Sequence, residues 1–157
     1  MRVGIGYDVH PLRAGRHLVL GGVRIDHPTG LDGHSDADVL THAVIDALFG
    51  AAGLGDIGRH FPASDPRYKD ASSLDLLAST VEAVHRAGYR VFNVDGTVIA
   101  EAPKLFTHLD EMKRNLARHL DLDPRHVNVK ATSPEGLGSL GAEAGIAAQA
   151  VALIEEL

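Results

Sequence analysis

AGIAAQAVALIE, residues 144–155, admits two readings, and the choice between them sets the fold. Its alanine content favours a helix. Its alternation (Ile146, Ala148, Ala150, Ala152 and Ile154 on one side) would equally serve a strand. Working outward, RVGIGYDV (2–9) reads as a strand, and HLVLGGVRID (17–26) as a hairpin turning at Gly21-Gly22. Val39, Leu40, Ala43, Ile45, Ala47, Leu48 and Ala51 give residues 36–52 helical spacing, with Ser35 as the expected N-cap and Asp36 and Asp38 in the first turn. A long Gly/Pro-containing loop, 53–71, follows, and a loop of that length is usually functional. A second helix is expected over 73–87, stopped by Gly88, then a strand over 89–101. Pro103 is expected to open a third helix reaching about His119, before a strand over 126–132 and a Gly/Ser/Pro loop to Gly141. That order predicts an α/β or α+β sandwich with helices covering a sheet.

The chain has 157 residues, 45% of them apolar and 23% charged, as expected for one globular domain spanning 1–157. It contains no cysteine, which excludes disulfides, thiolate nucleophiles and Cys-ligated metals. Its ten histidines therefore draw attention, since any transition-metal site must use His, Asp and Glu. The net charge of −6 and the lack of a Lys/Arg run argue against a nucleic-acid partner. The longest apolar stretch, 142–154, is interrupted by Glu143 and Gln149, so no membrane span is expected. MRVGIGYDVHPL at the start lacks the apolar stretch of a signal peptide, and a cytoplasmic location is expected.

Asp8-Val9-His10 sits where the first strand gives way to Pro11. Residues i and i+2 of a strand share a face, so Asp8 and His10 form a potential two-pronged chelate; a strand-end carboxylate beside a solvated histidine is the plainer alternative. His42, on the first helix, has Asp38 and Asp46 four residues to either side, each placed to hold its second ring nitrogen. Asp8, His10 and His42 together would make a three-ligand N/O site with the fourth tetrahedral position free, the arrangement of a catalytic zinc. Gly4-x-Gly6 is not a dinucleotide motif, because position 9 is Val. In GDIG (55–58) the glycines would let backbone approach a ligand, although turn formation explains them as well. KATSPE (130–135) places hydroxyls and a carboxylate after a strand, where phosphate oxygens or a divalent ion could be held.

Taken together, GIGYDVHPL (4–12), GHSDADVLTHAVIDALFGAAGLGDIG (33–58), FPASDP (61–66), NVDGTVIAEAPKL (93–105) and VNVKATSPEGLG (127–138) resemble the 2-C-methyl-D-erythritol 2,4-cyclodiphosphate synthase family of the non-mevalonate isoprenoid pathway. The resemblance spans nearly the whole chain. It implies an α+β fold: a mixed four-stranded sheet covered by helices on one face, plus a small hairpin, with the C-terminal segment a strand. It also implies a homotrimer with sheets facing the centre and active sites between subunits. Zn²⁺ or another divalent cation is implied on Asp8, His10 and His42. A second ion, Mg²⁺ or Mn²⁺, would bridge the substrate phosphates and contact Glu135.

The catalytic residues implied are His34, Ser133 and Glu135. Asp8, Val9 and His10 would bind the substrate, and His34 and Ser35 would contact its phosphate and its methylerythritol part. Asp56, Ile57 and Gly58, with Phe61, Pro62, Ala63, Ser64 and Asp65, would line the methylerythritol pocket. The cytidine diphosphate end would lie on a neighbouring chain, against Ala100, Glu101, Ala102, Pro103, Lys104, Leu105 and Phe106. From there it would reach Ala131, Thr132, Ser133, Pro134 and Glu135. Four positions depart from the family pattern: Ala63 stands for Asp, Ser133 for Thr, Ser139 for Phe and Ala142 for Arg. Ser133 keeps the hydroxyl, so the reaction is expected to survive; the phosphate contacts of the missing Arg are not. Two other functions fit the same residues: a zinc phosphohydrolase activating water, and a non-catalytic trimeric module that binds metal and nucleotide.

Overall fold

The computed structural model describes residues 1–157. In chain order it contains β1 (Arg2–Ala14), β2 (Leu18–Leu20), β3 (Val23–Ile25), β4 (Thr29–Leu31), α1 (Val39–Ala52), α2 (Ile57–His60) and α3 (Ser73–Arg86). It continues with β5 (Tyr89–Ile99), α4 (Leu109–Leu120), β6 (Val127–Thr132), α5 (Gly138–Gly141) and β7 (Gly145–Glu156). Five strands form one mixed sheet in the order β4-β1-β7-β5-β6, and β2 and β3 pair separately as a hairpin. The sheet thus has one strand more than the expected four. The addition is β4, a three-residue edge strand too short to show a period in sequence. Only β5 and β6 run parallel, joined by the crossover through α4.

The C-terminal segment is a strand, and it is the middle strand of the sheet. Its small side chains answer to packing. Ala148, Ala150 and Ala152 lie opposite Asp8, Gly6 and Gly4 of β1, which makes a flat ladder under α1. A methyl group on Gly4 or Gly6 would overlap the carbonyl oxygen of Ala47 or Ala43, so the α1 backbone rests directly on β1. Alanine here therefore follows from a close-lying helix and not from helix propensity. Covered by the sheet below and by α3 alongside, α1 buries nearly every residue.

Helix α1 starts at Val39, and Asp38, not Ser35, is its N-cap. The Asp38 carboxylate is fully buried and accepts four hydrogen bonds: from Thr41 N (3.1 Å) and Oγ1 (2.7 Å), and from Gly21 N (2.9 Å) and Gly22 N (2.8 Å). Gly21 and Gly22 both have positive φ, 54° and 71°, as a tight two-residue hairpin turn requires. Asp38 thus ties the hairpin to the helix start. Burial pushes its carboxyl upward, with the Asp36 charge adding to that.

Pro103 does not open a helix. Residues 100–105 run as a loop, a 3₁₀ turn spans Phe106–His108, and α4 begins at Leu109. Leu105 is drawn into the core, and Ala100 N and the Glu101 carboxylate are tied to Thr132, Ser133 and Gly136, which holds the stretch as a loop. Within the 53–71 loop lie α2 and a 3₁₀ turn at Pro66–Tyr68, both capped by aspartates (Asp56 and Asp65). The helices cover one face of the sheet. The other face exposes Val3, Ile5, Tyr7, Val9 and Val151, each between 45% and 71% accessible.

Candidate metal centre and substrate cavity

Strand alternation decides where the chelating pair points. Val9 faces outward with Val3, Ile5 and Tyr7, so Asp8 and His10 face α1, as Gly4 and Gly6 do. His42 descends from α1 to meet them. Asp8 Oδ2 lies 3.1 Å from His10 Nε2 and 2.9 Å from His42 Nδ1. One donor atom from each of the three falls within 4.8 Å of the others. The set suits a divalent ion that takes mixed nitrogen and oxygen ligands, as Zn²⁺ does. The second nitrogen of His10 supports this fit. His10 Nδ1 lies 3.0 Å from the Asp32 carbonyl, which can only accept, so Nδ1 carries a proton. Nε2 is the nitrogen that pairs with Asp8 in the metal-free protein and can give its lone pair to an ion that replaces that proton.

Asp38 and Asp46 do not hold His42. Asp38 is the helix cap, outside the helical repeat on which the four-residue spacing relied, and its oxygens are filled by Thr41, Gly21 and Gly22. Asp46 Oδ1 accepts Ile57 N at 2.7 Å, which fastens α2 to α1. Burial pushes its carboxyl upward as well. The partners of His42 Nε2 are the hydroxyls of Ser73 (2.8 Å) and Ser35 (3.1 Å). Ser73 lies 31 residues from His42 in sequence, beyond any local pattern.

A cavity of about 220 Å³ opens beside the three ligands. Asp8, His10, His34, Ser35 and His42 form its polar end, and Ile57, Phe61, Ala63, Tyr68 and Leu76 its apolar wall, with Gly58 between. Tyr68 and Leu76 were not among the expected residues. His34 donates from Nε2 to the Asp65 carbonyl at 2.9 Å, while Asp70 N donates to the His34 carbonyl at 2.8 Å, so the 61–71 loop holds this histidine from two sides. Asp56 and Asp65 spend their carboxylates on caps, and Asp65 also pairs with Arg67 at 2.7 Å. Pro62, Ser64 and Val9 do not line the cavity.

A second cavity, of about 400 Å³, is lined by Ala100, Glu101, Pro103, Lys104, Leu105 and Phe106, and by Ala131, Thr132 and Ser133 across from them. Ala102, Pro134 and Glu135 are not part of that lining. Ser133 Oγ donates to Glu101 Oε2 (3.0 Å) and accepts from Glu135 N (2.9 Å), while Gly136 N also donates to Glu101 (3.2 Å). The two expected nucleotide segments are therefore bound to each other. This cavity and the metal-site cavity share no lining residue.

Burial raises the Asp8 carboxyl, but hydrogen bonds and charge from His10 and His42 outweigh it and hold the group at about 2. His10 is raised above its ordinary value by its hydrogen bond to Asp8, against the opposing effect of burial. In the metal-free protein the depressed Asp8 contributes stability above pH ~4, lost as pH falls through about 2. The raised His10 contributes below pH ~6.5, and that contribution is lost as pH rises through its folded value. Thermal melts of chelator-treated protein should therefore show this pair's contribution greatest between pH ~4 and ~6.5. An Asp8→Asn variant should lose that pH dependence; an unchanged profile would contradict the pairing.

The chain belongs to the YgbB family, whose model matches residues 1–155. It is 59% identical over 156 residues to the 2-C-methyl-D-erythritol 2,4-cyclodiphosphate synthase of Syntrophomonas wolfei, covering 99% of each chain. Among solved structures it is similar to the bifunctional IspDF of Campylobacter jejuni (42% identity, TM-score 0.95), covering 99% of this chain and spanning 42% of that one. It is also similar to the Plasmodium falciparum IspF CDP complex (31% identity, TM-score 0.86), covering 99% of this chain and 96% of the other.

Proposed function

We infer that this chain catalyses the reaction for which its relatives are named. It would be a phosphorus–oxygen lyase that converts 4-diphosphocytidyl-2-C-methyl-D-erythritol 2-phosphate to the 2,4-cyclodiphosphate and CMP in isoprenoid biosynthesis. The observation that carries this reading is the convergence of Asp8, His10 and His42 at the polar end of a cavity with an apolar opposite wall. Such a cavity suits a substrate that is phosphorylated at one side and carries a methyl-bearing carbon chain at the other.

The 2-phosphate oxygen forms a bond to the β-phosphorus, the bond from that phosphorus to the α-phosphate oxygen breaks, and CMP leaves with the electron pair. A phosphate monoester, with a second pKa of ~6, is mostly dianionic at neutral pH and needs no general base. The obstacle is the approach of one anion to another within a protein of net charge −6. Asp8, His10 and His42 would hold Zn²⁺ and Glu135 would hold Mg²⁺ or Mn²⁺, and these ions would supply Lewis-acid stabilisation of the phosphoryl oxygens when bound. His34, its Nε2–H taken by the Asp65 carbonyl, is held with Nδ1 as the ring nitrogen left to face the substrate phosphates. Ser133 reaches phosphate by turning its hydroxyl away from Glu101. The apolar wall from Ile57 to Tyr68 excludes water and folds the substrate, and bringing both ends into line is worth roughly 7–11 kcal/mol.

The nucleotide would lie in the 100–106/131–133 cavity of a neighbouring subunit. Two cavities with no common lining residue, and an outward sheet face carrying Val3, Ile5, Tyr7, Val9 and Val151, support a homotrimer with its sheets turned to the centre. No helix is long and apolar enough to cross a membrane, and a cytoplasmic location is in keeping with the proposed role.

Phosphorus NMR of the products tests the reaction. Cyclic diphosphate with one equivalent of CMP supports cyclisation; orthophosphate would mean that the site activates water instead, and no turnover would favour a binding module. Ser133→Ala should slow turnover by up to about 10²-fold while changing CDP affinity little. A change in CDP affinity alone would make Ser133 a binding residue.

A further inference from the structure

We propose that Ser73 and Asp36 are positioning residues that fix the ring of His42 and commit its Nδ1 to the metal. The inference rests on the metal-site reading above and extends it to residues outside the chelating set. Ser73 is the first residue of α3 and is fully buried; Asp36 lies in the segment leading into α1. The Asp36 carboxylate grips Ser73 twice, accepting its hydroxyl through Oδ1 and its backbone N–H through Oδ2 at 3.0 Å. Asp36 Oδ1 also accepts Asp38 N at 3.2 Å, which joins the start of α1 to the same group.

Without an ion His42 Nδ1 can donate to Asp8; with an ion between His42 and Asp8 the proton count leaves one arrangement. A hydroxyl has a single proton, and a carboxylate can only accept, so the Ser73 proton is on the Asp36 side. What Ser73 Oγ turns toward His42 Nε2, at 2.8 Å, is a lone pair. That contact is a hydrogen bond only when Nε2 carries the imidazole proton. Nδ1, 2.9 Å from Asp8 Oδ2, is then the nitrogen that gives its lone pair to the ion in place of its contact with Asp8. The carboxylate behind the hydroxyl strengthens its pull on Nε2–H and makes Nδ1 the better donor. Ser35 Oγ, 3.1 Å from the same nitrogen, already accepts from Ala37 N at 3.2 Å. With Nε2–H pointing at both oxygens, Ser35 keeps its own proton for the cavity that it lines. His10 is committed through Nε2 by a backbone carbonyl, whereas His42 is committed through Nδ1 by a side-chain pair that brings together the approaches to two helices.

The test is metal binding, read without turnover. Zn²⁺ affinity is measured by competition with a chromophoric chelator on the chelator-treated full-length protein, and the Co²⁺ form is examined by visible absorption. Ser73→Ala should weaken Zn²⁺ binding by about 10–100-fold and shift the Co²⁺ ligand-field bands. Asp36→Asn leaves the Ser73 hydroxyl in place but removes its charged acceptor, and should weaken Zn²⁺ binding by about 10-fold with a change in the same bands. Should the buried Ser73 variant fail to fold, the Asp36 variant decides alone. Folded variants with wild-type Zn²⁺ affinity and an unaltered Co²⁺ spectrum would overturn the proposal while leaving the metal site standing. A wild-type protein that takes up no Zn²⁺ would overturn both.

Discussion

Replacing His42 with alanine should abolish zinc uptake and turnover together, with the fold left intact. The imidazole is one of three ligands, with Asp8 and His10, and a pair consisting of Asp8 and His10 alone would bind an ion weakly. Loss of the ion's charge stabilisation amounts to several kcal/mol; ~4 kcal/mol is about a thousandfold in rate. Stability should change far less. The three oxygens that His42 leaves behind all have other partners: Ser73 keeps Asp36, Ser35 keeps Ala37 N, and Asp8 keeps His10. The site opens into the cavity, so water can enter, and the expected cost is about 1 kcal/mol. Metal analysis, a CMP-release assay and a thermal melt on the same preparation check all three. Sustained turnover by a metal-free His42→Ala protein would remove the chelating set from the mechanism.

Substituting Gly6 by alanine should destabilise the protein more than most core changes. Its added methyl meets the Ala43 carbonyl oxygen, with the Ala43 carbonyl carbon at 2.8 Å and the Ala47 nitrogen at 2.9 Å. These are helix backbone atoms and cannot swing aside as a side chain would, so α1 must lift from β1. Overpacking ordinarily costs 1–3 kcal/mol, and this site should reach about 3 kcal/mol or more, a fall in Tm of about 6–12 °C. The same displacement reaches the metal centre, because Asp8 follows Gly6 by two residues and His42 precedes Ala43 by one. A misplacement of ~1 Å is worth about 10²-fold in rate, so turnover should fall beyond what unfolding explains. An unchanged urea midpoint would mean that helix and strand do not lie as closely as described.

Features carried by local periodicity were legible in the sequence. Strand alternation placed Asp8 and His10 on one face, and helical spacing found the helix that brings His42 to them. The C-terminal alternation was equally plain, but its alanines pointed the other way, because the helix lying on them comes from another part of the chain. Features depending on distant partners were not legible. Asp38 looked like a neighbour of His42 by spacing, yet its strongest claims come from the Gly21-Gly22 turn 16 and 17 residues earlier. Ser73 has no signal near His42 at all. The 100–106 stretch read as the start of a helix because Pro103 suits that position; Leu105 burying into the core overrode the preference.

The central claim is that Asp8, His10 and His42 hold one ion at the mouth of the substrate cavity. Anomalous diffraction at the zinc edge, on crystals grown with Zn²⁺ and CDP, tests it most directly. The account predicts one peak per subunit about 2.0–2.2 Å from an Asp8 oxygen, His10 Nε2 and His42 Nδ1, with the cytidine seated against residues 100–106 of a neighbouring subunit. A peak elsewhere, or density for CDP with no ion on these three residues, would contradict it.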